Sequence, residues 1–302
     1  MTQRVALAPS PTDFAAQAVR DGGGTVVGLD EEPDALVWTV GKDWDALQGA
    51  LDRAPSARWV QLPFAGVEGV AHLLTTDRVW ACAKGVYAEP VAEHALAFAL
   101  AGLRALPTRA RARSWGKQSA QTLYDADVLV LGAGGITSTL LDLLAPFRAR
   151  VTVVRRDAAH AVDRAHRTVG TDALDDVLPQ ALVVVLALAL TPETEHVIGA
   201  RQLELMRDDA WLVNVARGRH VDTDALVAAL RAGSIGGAAL DVTEPEPLPD
   251  GHPLFELALV TPHTANPWQT AQPLLARRIA DNVRRAAEGR ELEGLVDVQA
   301  GY

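Results

Sequence analysis

From Asp127 onward, short aliphatic runs alternate with helical stretches, and this alternation constrains the fold more than any other feature. Strands are read at Asp127–Leu131, Arg150–Val154, 181–190, 211–215, 238–242 and 257–261. Helices are read between them at 135–147, near 172–178, near 200–206 and at Thr223–Ala232. Parallel neighbours need a long crossover, usually a helix, so the pattern predicts a doubly wound parallel sheet of Rossmann type. The most apolar run, 181–190, has ten residues, is rich in Val and Leu, and stops at Thr191-Pro192. A membrane-spanning helix needs about 20 residues, so a strand buried on both faces fits better.

The N-terminal part repeats the alternation more weakly. Short strands are read at 5–8, 25–28, 35–40 and 59–62, with helices at 13–20 and Trp44–Arg53. This segment reads as a smaller α/β domain. A long Ala- and Leu-rich helix at 90–106, with Pro90 near its start and Pro107 after its end, marks the crossover between the two patterns. A final helix, 268–288, is placed to return the chain to the first domain. The expected division is a discontinuous domain of residues 1–92 and 271–302 around a second domain of residues 93–270.

At 302 residues the chain is long enough for two cores. Its 28 Lys and Arg against 38 Asp and Glu give a net charge of −10, which argues against wholesale nucleic-acid binding. The lone cysteine, Cys82, cannot form an internal disulfide or a cysteine-based metal cluster, and suits a reducing compartment. The first ten residues hold no long apolar signal core. The expectation is a soluble cytoplasmic protein without nucleic-acid, membrane or metal partners.

The loop Gly132-Ala133-Gly134-Gly135-Ile136 follows the strand 128–131 directly and opens a helix. The first turn needs a residue without Cβ, and Gly134 lets a pyrophosphate approach the backbone. The helix start then offers free N–H donors, including those of Gly135 and Ile136. A dinucleotide fingerprint places a third glycine at 137, where this chain has Thr137. A plain strand-to-helix turn is the alternative. The next strand ends in Arg155-Arg156 rather than a carboxylate. Arginine cannot accept a ribose hydroxyl's hydrogen bond, but its planar fork suits a 2′-phosphate, which favours NADP(H) over NAD(H). The alternative has solvated arginines with Asp157 turned to the ribose, and NAD(H) as cofactor.

Three polar residues follow later strands: Arg217 before Gly218, Glu246 among Pro245, Pro247 and Pro249, and His263 after Pro262. They are 29 and 17 residues apart, so only folding can gather them. Taken singly, each also reads as an ordinary loop residue. In succession, however, the segments around them resemble the D-isomer-specific 2-hydroxyacid dehydrogenase family. The resemblance runs from about residue 59 to about residue 268 and rests on several segments. These are Leu190-Thr191-Pro192-Glu193-Thr194, 213–218, 240–249, Pro262-His263, Ala92-Glu93-His94 and Ala65-Gly66-Val67-Glu68.

The resemblance implies a flavodoxin-like substrate domain beside the Rossmann domain, and a homodimer. It implies that Arg217 grips the carboxylate and carbonyl oxygen of a small 2-oxo acid, with His263 as acid/base and Glu246 as its partner. Such chemistry suits these groups. An imidazolium neutralises the oxygen on which charge develops, a carboxylate favours that imidazolium, and a guanidinium fixes the substrate through two parallel bonds. Gly66 and Val67 are implied to offer backbone N–H groups to the substrate carboxylate. Thr191 is implied to lie along the cofactor's ribose and phosphates. Val215 and Asp241 are implied to lie near the nicotinamide. His94 reads as a packed or domain-bridging histidine.

Departures from the family pattern are Thr137 for the third glycine, Arg155 for the usual acid, Glu68 for aspartate and Ala189 for proline. The reading is a reductase of glyoxylate- or hydroxypyruvate-like acids using NADPH, with residues 62–67, Val86 and Tyr87 setting selectivity. The competing class is a dinucleotide-sensing dimer on the same fold. A third is an enzyme with another hydride donor, such as formate.

Overall fold

Five strands build the N-terminal sheet: β1 (Arg4–Ala8), β2 (Thr25–Val27), β3 (Ala35–Trp38), β4 (Trp59–Gln61) and β5 (Val79–Ala81). All pair in parallel in the order β2-β1-β3-β4-β5, the flavodoxin-like order. Period-two alternation divides β1 between two cores. Ala6 and Ala8 face Leu36, Trp38, Val60 and Leu62, whereas Val5 and Leu7 face Val37 and Trp59. Helices α1 (Asp13–Asp21) and α2 (Trp44–Arg53) cover the two faces through Ala15, Ala18 and Val19 and through Leu47, Ala50 and Leu51. In this computed structural model, described for residues 2–39, 41–117 and 119–299, residues up to Tyr87 with those from Pro267 form one compact unit. The second unit is Ala88–Asn266.

The second unit begins with α3 (Ala88–Leu103) and α4 (Leu106–Arg111). It then runs through β6 (Asp127–Leu131), α5 (Gly135–Leu144), β7 (Arg150–Val154), β8 (Arg167–Val169), α6 (Leu174–Val177) and β9 (Val183–Leu186). There follow α7 (Ala200–Leu205), β10 (Trp211–Asn214), α8 (Thr223–Ala232), β11 (Gly237–Leu240), α9 (Leu254–Leu257) and β12 (Leu259–Val260). The seven strands are all parallel in the order β12-β11-β10-β9-β6-β7-β8. Chain direction across the sheet reverses between β6 and β9, and ligands of such sheets bind in the crevice at that reversal. Apolar residues of β6, β9, β10 and β11, among them Leu131, Val184, Leu212 and Leu240, form the core with Leu203, Leu226 and Leu254 of the covering helices.

The chain then returns to the first unit as α10 (Trp268–Ala287), which buries Leu275, Ile279 and Val283 at helical spacing. Its buried Asn282 donates to Gln61 Oε1 at 2.7 Å and to the Glu293 carbonyl at 3.0 Å, tying the helix to β4.

Several boundaries differ from expectation. The apolar run 181–190 pairs only over Val183–Leu186, because the following backbone turns out of the sheet and the Ala189 carbonyl accepts from Thr194 Oγ1. The strand read at 257–261 starts instead as the last turn of α9. Strands β5 and β8, three residues each, were not read from the sequence. Val40, read as the end of a strand, lies outside the described residues.

Small residues decide how α3 lies on the sheet. It packs against α5 and β10, with the Trp211 indole held between Gly102 and Gly237. A Cβ at Gly102 would lie 2.4 Å from the indole ring. Gly102→Ala should therefore overpack this contact and lower unfolding stability by about 1–3 kcal/mol, read as a reduced urea midpoint at unchanged m-value.

Candidate active site

The glycine loop sits at the strand-order reversal. Gly132 has φ +107°, and a Cβ there would lie 2.2 Å from the Ala187 carbonyl at the end of β9, so no other residue fits. Its N–H donates to the Val154 carbonyl at 2.8 Å. Gly134 caps α5, and the space around its absent side chain is open. The first bond back to the cap is from Ser138 N, so the amides of Gly135 and Ile136 lie in the unpaired first turn of α5. Thr137 is fully buried and donates its hydroxyl to the Gly132 carbonyl at 2.9 Å. The departure from the fingerprint thus closes the loop on itself instead of blocking it.

After β7, Arg155 donates to the His160 carbonyl at 3.1 Å. Asp157 accepts from Ala159 N at 3.0 Å and from His160 Nδ1 at 2.7 Å, and the His160 hydrogen bond holds its carboxyl below the usual range. Asp157 is therefore committed to its own loop. Arg156 is exposed and lies in the field of Glu193, whose carboxyl is lowered first by the Thr191 hydroxyl. The Thr191 N–H donates to Thr194 Oγ1 at 2.8 Å, closing the 191–194 turn.

Arg217, Glu246 and His263 follow β10, β11 and β12, three adjacent strands. The Arg217 backbone is pinned on both sides. Its carbonyl accepts from Asn214 Nδ2 at 2.8 Å, and its N–H donates to His220 Nδ1 at 3.2 Å. His220 is fully buried, and its Nε2 donates to the Ala189 carbonyl at 3.3 Å, which assigns the proton to Nε2. The Arg217 guanidinium donates to the Ala216 carbonyl at 2.7 Å. Gly218 runs against the next loop, where a Cβ would lie 1.9 Å from the Thr243 carbonyl. That approach sets the Arg217 turn beside the segment leading to Glu246. Val215 N donates to the Leu186 carbonyl at 3.4 Å, placing its backbone beside the end of β9.

His263 Nδ1 lies 2.7 Å from Glu246 Oε1. A carboxylate accepts, so Nδ1 carries the proton and Nε2 is left for another partner. The side chains are 49% and 41% exposed, so the pair orients the ring more than it stabilises the fold. His263 has φ +52°, a left-handed conformation unusual for a residue with a Cβ. Asp241, 2% exposed, accepts from Thr261 Oγ1 at 2.6 Å, Thr264 N at 2.8 Å and Ala265 N at 3.0 Å. Its carboxylate is thus engaged by the loop that carries His263. Nearby, His196 Nε2 meets Glu244 at 3.1 Å and Arg219 meets Glu195 at 2.7 Å, lowering the Glu195 carboxyl.

In the first unit, Gly66 and Val67 lie on a loop whose three preceding carbonyls are all taken. Tyr87 Oη donates to Pro63 O at 2.6 Å, Ala83 N to Phe64 O at 2.8 Å, and the Cys82 thiol to Ala65 O at 3.5 Å. Burial pushes the Tyr87 phenol up to about 12 and raises the Cys82 thiol as well, so both remain donors. Among the described residues no acceptor meets the Gly66 or Val67 amide, although Val67 is only 1% exposed. Glu68 follows at the start of a short 3-10 helix.

Asn214 and His220 were not read from the sequence as site residues. Asn214 sits inside an apolar strand, and His220 lies three residues after Arg217. The usable signal was a polar side chain at a strand position where only a buried one fits.

A model of the D-isomer specific 2-hydroxyacid dehydrogenase NAD binding domain matches residues 94–265. An uncharacterized protein in the proB 3′ region of Corynebacterium melassecola is 37% identical over 261 residues, covering 83% of this chain and 86% of its own. Glyoxylate reductase of Pyrococcus furiosus is 30% identical over 318 aligned positions, covering 90% and 91%. Among solved structures, a D-isomer specific 2-hydroxyacid dehydrogenase from Xanthobacter autotrophicus Py2, in complex with NADPH and MES, superposes with a TM-score of 0.86 at 29% identity over the whole of both chains. With the model matching more than half its length, the chain belongs to the D-isomer-specific 2-hydroxyacid dehydrogenase family.

Proposed function

We propose that this NAD(P)-dependent oxidoreductase reduces a small 2-oxo acid of the glyoxylate or hydroxypyruvate kind, with NADPH as the preferred cofactor. The observation that carries the reading is the His263–Glu246 pair, 2.7 Å apart at the ends of neighbouring strands and on the same sheet edge as Arg217. The glycine loop fits a dinucleotide, with open space beside Gly134, no room for a Cβ at Gly132, and N–H groups at the start of α5. Gly132, Gly134, Gly135 and Ile136 would hold the pyrophosphate. Thr191 and the backbone at Val215 would edge the ribose and nicotinamide.

A bound nicotinamide supplies the hydride that reaches the carbonyl carbon. Arg217 aligns the carboxylate–ketone edge of the substrate through its planar fork. Positively charged His263 donates its Nε2 proton to the carbonyl oxygen as negative charge develops there. The ring ends neutral, with Nδ1–H still on Glu246. In the oxidative direction, neutral His263 takes the hydroxyl proton back at Nε2.

The preference for NADPH rests on Arg155 and Arg156 at the end of β7, and on Asp157 being occupied by Ala159 and His160. The NADPH-bound Xanthobacter relative supports it, and the Pyrococcus glyoxylate reductase supports the substrate class.

His263→Ala should lower kcat for glyoxylate reduction about 10²–10⁴-fold while NADPH binding, read by fluorescence titration, persists. Retained turnover removes His263 from this role. Arg155→Ala should reduce the ratio of kcat/KM for NADPH over NADH about tenfold or more, the worth of one charge-assisted hydrogen bond. An unchanged ratio rejects the 2′-phosphate assignment.

A further inference from the structure

The loop that carries His263 is folded around one buried carboxylate. Asp241 Oδ1 accepts from Thr264 N, Asp241 Oδ2 from Ala265 N, and the Asp241 carbonyl from His263 N at 2.8 Å. The His263 amide also points at the Thr261 carbonyl, 3.0 Å away. Three consecutive amides, those of residues 263, 264 and 265, therefore turn inward onto Asp241. That inward turn forces the left-handed backbone at His263, which persists only where its surroundings over-determine it.

Asp241 is itself oriented from behind. Thr261 Oγ1 lies 2.6 Å from Asp241 Oδ1, and the carboxylate can only accept, so the hydroxyl proton is spent there. His94 Nε2 lies 3.2 Å from the same hydroxyl oxygen and 3.7 Å from Asp241 Oδ1. With the hydroxyl proton already used, His94 must donate from Nε2. Its ring, on α3, is held against the buried Phe98 at a centroid distance of 4.3 Å. The donor order is thus His94 to Thr261 to Asp241.

We propose that His94, Thr261 and Asp241 form a relay that holds the His263 backbone in its left-handed conformation, making all three positioning residues for the acid/base. This rests on the reading of His263 given above. It also gives Asp241 work beyond any contact with the nicotinamide. A carboxylate buried to this degree needs all its donors. Losing the Thr261 hydroxyl, or the His94 donor behind it, frees Asp241 to rotate and relaxes the turn that aims His263 at Glu246 and at the substrate.

The test compares Thr261→Val with Thr261→Ser, and His94→Ala with His94→Gln, each partner of a pair differing in whether the donor is kept. Thr261→Val and His94→Ala should lower kcat for glyoxylate about 10–100-fold, the usual effect of misplacing a reacting group by an ångström. NADPH dissociation constants should stay within about twofold of wild type. Amide hydrogen exchange at Thr264 and Ala265 should accelerate about tenfold or more, as expected when a local opening is made easier, with the rest of the second unit unchanged. Thr261→Ser and His94→Gln should restore both readouts. Unchanged kcat and exchange, equal damage in the donor-retaining variants, or uniformly faster exchange across the unit would each overturn the proposal. If wild-type protein turns over no 2-oxo acid, the reading of His263 fails by itself, and local exchange at residues 264 and 265 still decides the relay.

Discussion

Because β6 through β12 all run parallel, every loop that leaves a strand's C-terminal end emerges on one edge of the sheet, and the remaining parts of the site depend on that constraint. Residues distant in sequence need no special long connection to become neighbours. They need only follow adjacent strands, as Arg217, Glu246 and His263 do. The same geometry places the glycine loop at the reversal of strand order, against the backbone that leaves β9.

Close backbone approaches then fix what pairing leaves loose. Gly132 and Gly218 both occupy points where a single added carbon would collide with a carbonyl of the next loop. Thr137 shows how a departure from a motif is absorbed. The larger side chain is accepted because its hydroxyl meets the carbonyl of the first glycine in the loop. A polar atom there without a partner would have been costly, whereas a bonded one adds a cross-link. Asn214 and His220 serve the Arg217 turn in the same way, each spending a buried hydrogen-bonding group on backbone.

The charged pairs of the site act through direction more than through stability. His263–Glu246 and His196–Glu244 are both substantially exposed, where ion pairs contribute little to folding. Asp241 is the opposite case, a carboxylate nearly removed from solvent and satisfied by three donors from a single loop. The fold therefore places a deeply buried carboxylate under the His263 loop, and leaves Glu246, the carboxylate that meets His263, open to water.

Alternation of apolar runs and helices was enough to recover the doubly wound sheet, and several elements, among them β6, β7 and α8, had their limits in local sequence. That succeeds because strand and helix periodicities are properties of neighbouring residues. Strand β8 escaped because Arg167-Thr168-Val169 offers a single apolar residue, and the run after Leu186 misled because its hydrophobicity continues after its strand ends. The family resemblance identified Arg217, Glu246 and His263 as a set, but no sequence spacing encodes a 2.7 Å contact between Nδ1 and Oε1. The hydrogen-bond partners of His94, Thr261 and His220 emerged only in three dimensions. Their hydrogen bonds join elements separated by up to 167 positions, and a donor's partner is set by which strands lie side by side, not by its neighbours in the chain.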